Sequence, residues 1–445
     1  MSNTQLIGLS LLTIYILYKI LWVKNFHNFL FWGLAYQWTN VNAKVVYATF
    51  VGGDFVYLHN YPDHIIEAWA YSNIDLIAVA IGFKIIAGKW TKFSSADELF
   101  KIDLNRFTNY YIYFSILTFT VLNPFIYSQS LQQILLQFTY LKYALFFIGF
   151  ANILTHKDYK NKLIYYFIFE FILSFSGYFS NFKDYIMIAF IVYLYVNSRN
   201  FGFKQYFIGF LALFIGFSLG VIWSEIKIEY RSFLTNGEVV QGSRKGTGES
   251  LSYLYQRMNR FNTAQFEDGI IQLVDRLEYI DFFSACIGYV PSHKPHQNGK
   301  IFSDAIVFGF QPRFLFKDKG VLDDSKYTIE YTGASISGSE QATSISLGYT
   351  ADGYIDFGKN LFYVTPLLYG MIIGFIYKKL IQKSNNQIWG LAITIPVYFM
   401  INNFGNIFYK VIPPILYFGI VAYLFLNYGL KYFKIEQPLT KFRNA

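Results

Sequence analysis

The sequence predicts an all-α polytopic membrane protein with about 11 transmembrane helices and one large, partly helical extracytoplasmic loop. Hydrophobic residues make up 54% of the 445 residues and charged residues only 15%, whereas soluble domains carry roughly 25% charged residues. Apolar stretches long enough to cross a bilayer recur along the whole chain. Lys and Arg gather in alternate connections between these stretches, as the positive-inside rule requires.

Stretches of about 17–25 predominantly apolar residues define the candidate spans. They cover residues 5–23, 28–50, 71–89, 107–129, 131–152, 163–178, 182–198, 205–224, 359–379, 387–404 and 409–428. The first has neither Lys nor Arg before it and no small-residue cleavage site after it, so it is expected to be a retained span rather than a signal peptide. Polar residues such as Gln37, Asn40 and Lys44 interrupt the second, which could instead be interfacial or re-entrant.

Charge in the connections predicts the orientation. With the amino terminus outside, every inner connection holds Lys or Arg. These connections are Lys24–His27, Trp90–Arg106, Thr155–Lys162, Asn197–Lys204, Lys378–Asn386 and the tail from Lys431 to Arg443. The chain is therefore expected to be a multi-pass protein of a bacterial inner membrane.

Three parts follow from this orientation. Residues 1–224 form an N-terminal transmembrane bundle of about eight spans, and residues 225–358 form an extracytoplasmic, periplasmic loop. Residues 359–445 supply about three further spans and a cytoplasmic tail. Lys183 breaks the charge pattern because it lies in an outer connection. It is expected either to face the same cavity as the loop arginines or to pair locally with Asp184.

Composition excludes several classes of function. The net charge of +9 is scattered among short connections rather than gathered in a patch, so no nucleic-acid partner is expected. Cys286 is the only cysteine, which excludes an intramolecular disulfide and a thiolate metal cluster. No Gly-rich phosphate loop occurs. His293 and His296 lack the further ligand that a metal site needs, so neither a metal nor a cofactor is expected.

Arginines mark the predicted outer loop. An Arg fork binds two oxygens of a diphosphate at once and does not lose its charge. Each could alternatively pair with a loop carboxylate. The loop arginines are Arg231, Arg244, Arg257, Arg260, Arg276 and Arg313.

Three segments around this loop carry a family resemblance. They are Trp223-Ser224-Glu225 followed by Glu229-Tyr230-Arg231, then Pro312-Arg313-Phe314-Leu315-Phe316-Lys317-Asp318-Lys319, and finally Thr343-Ser344-Ile345-Ser346-Leu347-Gly348-Tyr349 running to Asp356-Phe357-Gly358. In this order they resemble bacterial O-antigen and capsule repeat-unit polymerases of the Wzy type. The resemblance covers the order of features from about Tyr166 to Gly374. Related sequences often carry Glu where this chain has Ala351 to Tyr354.

The resemblance implies metal-independent glycosyl transfer on the outer leaflet of the lipid bilayer, with a polyprenyl-diphosphate-linked glycan as donor and a lipid-linked repeat unit as acceptor. It is compatible with a chain-length regulator protein as a partner. The implied diphosphate ligands are Arg231, Arg257, Arg260, Arg276, Arg313, Lys317 and Lys183. The implied catalytic base is one of Asp352, Asp356, Glu229 and His293.

Two other classes of protein remain open. An O-antigen ligase shares the membrane scaffold and large outer loop, and such enzymes are associated with a loop histidine, a role open to His293 or His296. A lipid-oligosaccharide flippase would be a non-enzymatic alternative. Flippases tend to show two related halves, which the single long segment from Glu225 to Gly358 does not provide.

Overall fold

The computed structural model describes residues 1–23, 28–88, 102–121, 129–158, 160–175, 182–197, 202–238, 243–313, 315–320, 322–336, 344–383, 387–401 and 404–429. Within these ranges the chain is helical and contains no β-strand. Several sequence predictions concern residues outside the described ones, namely those for Lys24–His27, most of Trp90–Arg106, the tail from Lys431 to Arg443, and single motif residues such as Phe314 and Thr343.

The described part of the chain forms seventeen α-helices. The first eight are α1 Asn3–Leu21, α2 Phe29–Phe50, α3 Ile65–Ala87, α4 Leu104–Thr120, α5 Gln129–His156, α6 Lys162–Leu173, α7 Phe182–Asn197 and α8 Phe203–Thr235. Six shorter helices follow, α9 Thr247–Asn259, α10 Thr263–Leu277, α11 Asp281–Tyr289, α12 Lys300–Gly309, α13 Asp324–Thr332 and α14 Tyr349–Leu361. The last three are α15 Val364–Lys383, α16 Gln387–Ile401 and α17 Phe408–Leu424, which a π-helical turn extends to Gly429.

Six of the described helices are long and apolar enough to cross a membrane. These candidate spans are Asn3–Leu21, Ile65–Ala87, Ile134–His156, Phe203–Thr235, Val364–Ile381 and Phe408–Gly429. Each of the eleven spans predicted from the sequence falls on a helix, but α4, α6, α7 and α16 have only 17, 12, 16 and 15 residues. In α2 the polar side chains of Gln37, Asn40 and Asn42 are buried. The structure thus supports a membrane protein, and the count of eleven spans stays a prediction.

The closest helix pair consists of α3 and α15. A Cβ atom on Gly370 would lie 2.1 Å from the carbonyl oxygen of Val79, and one on Gly82 would lie 2.0 Å from that of Leu367. Small residues at these positions let the two backbones approach closely. In a membrane the hydrophobic effect does not drive helices together, so close packing of this kind stabilises their association. The sequence places glycine at the points where α3 and α15 touch.

Helices α3 and α15 run parallel. Tyr71 contacts Phe362 with ring centroids 4.4 Å apart, and further along both helices Phe83 contacts Tyr377 at 5.2 Å. The beginning of α3 therefore lies at the same end of the bundle as α14, which precedes α15. At this end the backbone N–H of His64 also donates to the hydroxyl of Ser284 on α11 at 3.2 Å. The connection between α2 and α3 thus shares one face of the bundle with the short helices α11 and α14.

Candidate functional site

Helix α8 is longer than a bilayer is thick. Its 33 residues span about 50 Å at 1.5 Å per residue, whereas the hydrocarbon core of a membrane is about 30 Å thick. Large apolar side chains on residues 203–223 are exposed, among them Phe207, Phe210 and Phe214. Between Lys204 in its first turn and Glu225, α8 carries no charged side chain. The charged end of α8 is therefore expected to emerge at the membrane–water boundary.

Helix α10 packs on this charged end of α8. A Cβ atom on Gly269 would lie 2.8 Å from the carbonyl oxygen of Val221, so the two backbones touch there. Further along, Gln272 Nε2 donates to Glu225 Oε2 at 2.5 Å. The side chain of Asn262 caps the start of α10 by accepting from the backbone N–H of Gln265. These contacts hold the last turn of α10, which carries Arg276, beside the charged turns of α8.

Helices α7 and α10 each pack against α8. Four cations on these helices are close enough for their charges to interact, and we call them the cationic cluster: Lys183, Lys227, Arg231 and Arg276. The charges of Lys183, Arg231 and Arg276 all act on the ammonium group of Lys227. Burial, and next the charge of Arg231, lower the pKa of the Arg276 guanidinium, while Glu225 acts in the opposite direction. Like charges held together in a partly buried place disfavour one another. The cluster is therefore suited to receive an anion.

The cluster unites three residues that the sequence implicated separately. Lys183 begins α7, Arg231 lies on α8 and Arg276 ends α10, and the structure brings them to one place. Asp184, the alternative partner of Lys183, accepts a hydrogen bond from the hydroxyl of Tyr143 at 2.8 Å, and the charge of Lys183 also acts on it. Lys227 was missed at the sequence level. Its spacing from Arg231, one helical turn on the same helix, is the signal that could have identified it.

A second cationic site lies between α8 and α9. Arg257 and Arg260 line a surface pocket of about 350 Å³ together with Glu229, Tyr253 and Gln256. Arg257 Nε donates to Glu229 Oε2 at 2.7 Å. Glu229, a predicted base, is thus ion-paired with Arg257, a predicted diphosphate ligand. Arg260 is exposed beside them.

Arg313 binds its own loop. Its Nη1 and Nη2 atoms donate to the carbonyl oxygens of Lys319 and Gly320 at 3.0 and 2.7 Å. Lys319 Nζ in turn donates to the carbonyl oxygens of Phe308 and Gln311. Burial, and next the charge of Arg313, lower the pKa of Lys319 to about 8. Lys317 is exposed in the same loop, which follows α12, and α12 packs against α14 and α17.

Two of the predicted bases, Asp352 and Asp356, are buried on α14. Asp352 accepts from the hydroxyl of Tyr327 and from the backbone N–H of Phe408, both at 2.7 Å. Asp356 accepts from the backbone N–H groups of Ile301 and Phe302, both at 3.0 Å. Burial raises the pKa of Asp352 to about 7 and also raises that of Asp356. Both carboxyl groups bind the beginnings of other helices.

The predicted histidine base lies in an exposed turn. His293 stacks on Tyr289 with ring centroids 4.7 Å apart. His296 Nδ1 lies 3.3 Å from the carbonyl oxygen of Ile355. In the described part of the chain, no group of three His, Cys, Asp or Glu side chains could hold a metal ion.

Comparison with known proteins identifies a family that covers most of the chain. The model of a family described as a domain of unknown function, DUF8712, matches residues 17–438. No curated protein and no solved structure matches the chain.

Proposed function

We propose that this chain, which belongs to the DUF8712 family, polymerises polyprenyl-diphosphate-linked oligosaccharide repeat units at the outer face of a bacterial inner membrane. The reaction is a metal-independent glycosyl transfer. The observation that carries this proposal is the cationic cluster of Lys183, Lys227, Arg231 and Arg276 at the water end of a lipid-exposed helix.

The cluster suits a diphosphate attached to a lipid. Exposed apolar side chains on residues 203–223 offer a surface for the polyprenyl tail, and the cations follow directly at the membrane boundary. Arginine forks bind phosphate oxygens in pairs. Glycosyl transfer releases the polyprenyl diphosphate, and fixed positive charges stabilise the negative charge that develops on it. The cluster would therefore act most strongly in the transition state.

A second site would serve the acceptor. In repeat-unit polymerisation both substrates carry a diphosphate, and α8 is flanked by two cationic sites, the cationic cluster and the pocket of Arg257 and Arg260. We assign the first to the donor and the second to the acceptor. Arg313 and Lys317 are left out of both, because the donors of Arg313 bind loop carbonyl groups.

The test is a transfer assay in proteoliposomes with a synthetic polyprenyl-diphosphate repeat unit. The wild-type protein should produce a ladder of lengthened glycans. Arg276→Ala should slow transfer at least tenfold, and the difference in donor binding between wild type and variant should shrink as ionic strength rises, because salt screens the charge that Arg276 supplies. Arg244→Ala is the matched control, since Arg244 is exposed and paired with Glu238 at 3.1 Å. Its rate should stay within about twofold of wild type.

Other outcomes would overturn the proposal. A single transfer onto lipid A core without a ladder would identify a ligase, and transbilayer movement of the substrate without bond formation would identify a flippase. Reporter fusions that place residues 225–358 in the cytosol would also exclude it, because the lipid-linked glycan would then lie on the opposite side.

A further inference from the structure

A histidine–carboxylate pair joins the connection between α2 and α3 to the beginning of α11. His59 Nδ1 lies 2.9 Å from Asp281 Oδ1. The backbone N–H and the side-chain amide of Asn60 also donate to Asp281, at 3.2 and 3.1 Å. With Nδ1–H donating to the carboxylate, the lone pair of His59 lies on Nε2. Asp281 thus sets both the orientation and the tautomer of the imidazole.

The other ring nitrogen points at a second carboxyl group. His59 Nε2 lies 4.0 Å from Glu278 Oε2, and both side chains are buried. Neither atom has a hydrogen-bond partner among the residues that the structure describes. Buried polar atoms without a partner are costly and often mark sites that act on a ligand. A hydroxyl oxygen placed about 2.8 Å from both atoms would satisfy both.

Among the residues that the structure describes, Lys44 on α2 and Asp275 on α10 are further charged groups that act on His59. Lys44 Nζ lies 3.5 Å from Asp275 and 3.5 Å from Asp281. Burial lowers the pKa of His59, although Asp281 opposes this shift. Burial raises the pKa of Glu278 to about 8. At neutral pH the imidazole is therefore uncharged and the carboxyl group of Glu278 is protonated.

This network adjoins the cationic cluster through two consecutive residues. Asp275 faces Lys44, while Arg276 belongs to the cationic cluster. Their Cα atoms are about 3.8 Å apart. Asn40 on α2 fixes the end of α10 by donating from Nδ2 to the carbonyl oxygen of Leu277 at 2.8 Å. Consecutive helical side chains point about 100° apart, so the network of His59 lies on the face of α10 next to the one that carries Arg276.

We propose that His59, positioned by Asp281, is the general base of the transfer; this inference rests on the proposed function. The acceptor hydroxyl oxygen bonds to the anomeric carbon of the donor, and the bond from that carbon to the diphosphate breaks. The electron pair of the broken bond leaves with the diphosphate, and the hydroxyl proton passes to His59 Nε2. Asp281 stabilises the resulting imidazolium.

The side chain of His59 is enclosed and Phe55 packs on its ring with centroids 4.7 Å apart, so transfer requires the connection of residues 51–58 to move aside and admit the acceptor to Nε2. This connection begins with Gly52 and Gly53, whose φ angles are 111° and 100°. Glycine adopts such angles without strain and can act as a hinge. Tyr57, in the same connection, is 81% exposed. Enclosure keeps bulk water away from the base during transfer.

The experiment separates binding from transfer with His59→Gln in proteoliposomes. Transfer should fall by about 10²–10⁴-fold, the range that general bases contribute. Binding of a polyprenyl diphosphate should stay within twofold of wild type, because the cationic cluster is unchanged. His64→Gln is the matched control, since His64 lies in the same connection and is 41% exposed at its side chain. Its transfer rate should match that of the wild type.

Two measurements cover the case in which His59→Gln fails to fold. Asp281→Asn keeps the imidazole but removes its orienting carboxylate, and it should lower the transfer rate without weakening diphosphate binding. The wild-type rate should rise with pH through a group whose pKa lies below the ordinary value of histidine.

The outcomes distinguish the two proposals. Wild-type transfer by a folded His59→Gln protein, or a wild-type rate in the Asp281→Asn protein, would overturn the role of His59 while leaving the polymerase intact. Absence of transfer in the wild-type protein would instead overturn the proposed function.

Discussion

Asp352 and Asp356 lie one turn apart on α14, and each carboxyl group binds the beginning of a different helix. Asp352 accepts from the first residue of α17, Phe408, and Asp356 accepts from Ile301 and Phe302 in the first turn of α12. Carboxylates at a helix N-terminus satisfy N–H groups that have no partner within that helix. One face of α14 therefore holds α12 and α17 in place.

Loss of this anchor should destabilise the protein. Asp356→Ala leaves two buried N–H groups without an acceptor, which should lower the free energy of unfolding by about 1–3 kcal/mol. Thermal unfolding in detergent measures the change, with exposed Asp318→Ala as the control. An Asp356→Ala protein with wild-type stability but no transfer would instead indicate the catalytic role that the sequence suggested.

Glu278 should make stability depend on pH. Its folded-state pKa of about 8 lies above that of an exposed glutamate, so the folded state retains a proton that the unfolded state has lost. Its contribution to stability is fully present below the unfolded-state pKa and is lost as pH rises towards 8. Glu278→Gln stays neutral, so its stability relative to wild type should increase between pH 5 and 8. A constant difference across this range would contradict the assignment.

Arg313 should act on its own loop rather than on the donor. Arg313→Ala releases the carbonyl groups of Lys319 and Gly320, so residues 311–320 should become more sensitive to limited proteolysis. Polyprenyl-diphosphate binding should stay within about twofold of wild type, since each lost bond is local. Arg276→Ala is the comparison. It should weaken polyprenyl-diphosphate binding and leave residues 311–320 as resistant to proteolysis as in the wild type. Lost binding with an intact loop would place Arg313 in the donor site.

Close packing of α3 on α15 should not tolerate a methyl group. A Cβ atom on Gly370 would lie 2.1 Å from the carbonyl oxygen of Val79, so Gly370→Ala should destabilise the protein by about 1–3 kcal/mol. Gly8→Ala in α1 is the control, because nothing lies within 4 Å of the added atom. The control should be neutral or slightly stabilising, since glycine disfavours helix. Equal stability of both variants would mean that α3 and α15 are further apart.

Asp75 should be neutral in the membrane. It is fully buried in α3, and neither carboxyl oxygen has a hydrogen-bond partner in the described structure. An unpaired charge there would be very unfavourable. Asp75→Asn should therefore leave the free energy of unfolding nearly unchanged, because the amide replaces an uncharged carboxyl group of the same size. A large loss of stability would show that Asp75 carries a paired charge.

Glu170→Gln is the contrasting variant. The carboxylate of Glu170 pairs with Lys142 at 3.1 Å, and removal of one partner of a buried pair costs about 3–5 kcal/mol. Thermal unfolding of the two variants side by side tests both expectations.

The sequence by itself determined the helical membrane architecture. Apolar stretches are local and continuous, so transfer into lipid can be estimated from each stretch alone. All eleven predicted spans therefore fall on helices, even though six of these helices are long and apolar enough to cross a membrane. The cationic character of the charged end of α8 was likewise visible in Arg231.

Only the tertiary structure decided which polar groups meet. His59 and Asp281 are 222 residues apart in the chain, and no local spacing predicts their contact. The same holds for Asp352 and Asp356, whose partners lie in α17 and α12. The same aspartate side chain can accept a substrate proton or cap a helix, so the residue type does not reveal its role. The role depends on the hydrogen-bond donors that the packed helices bring to it.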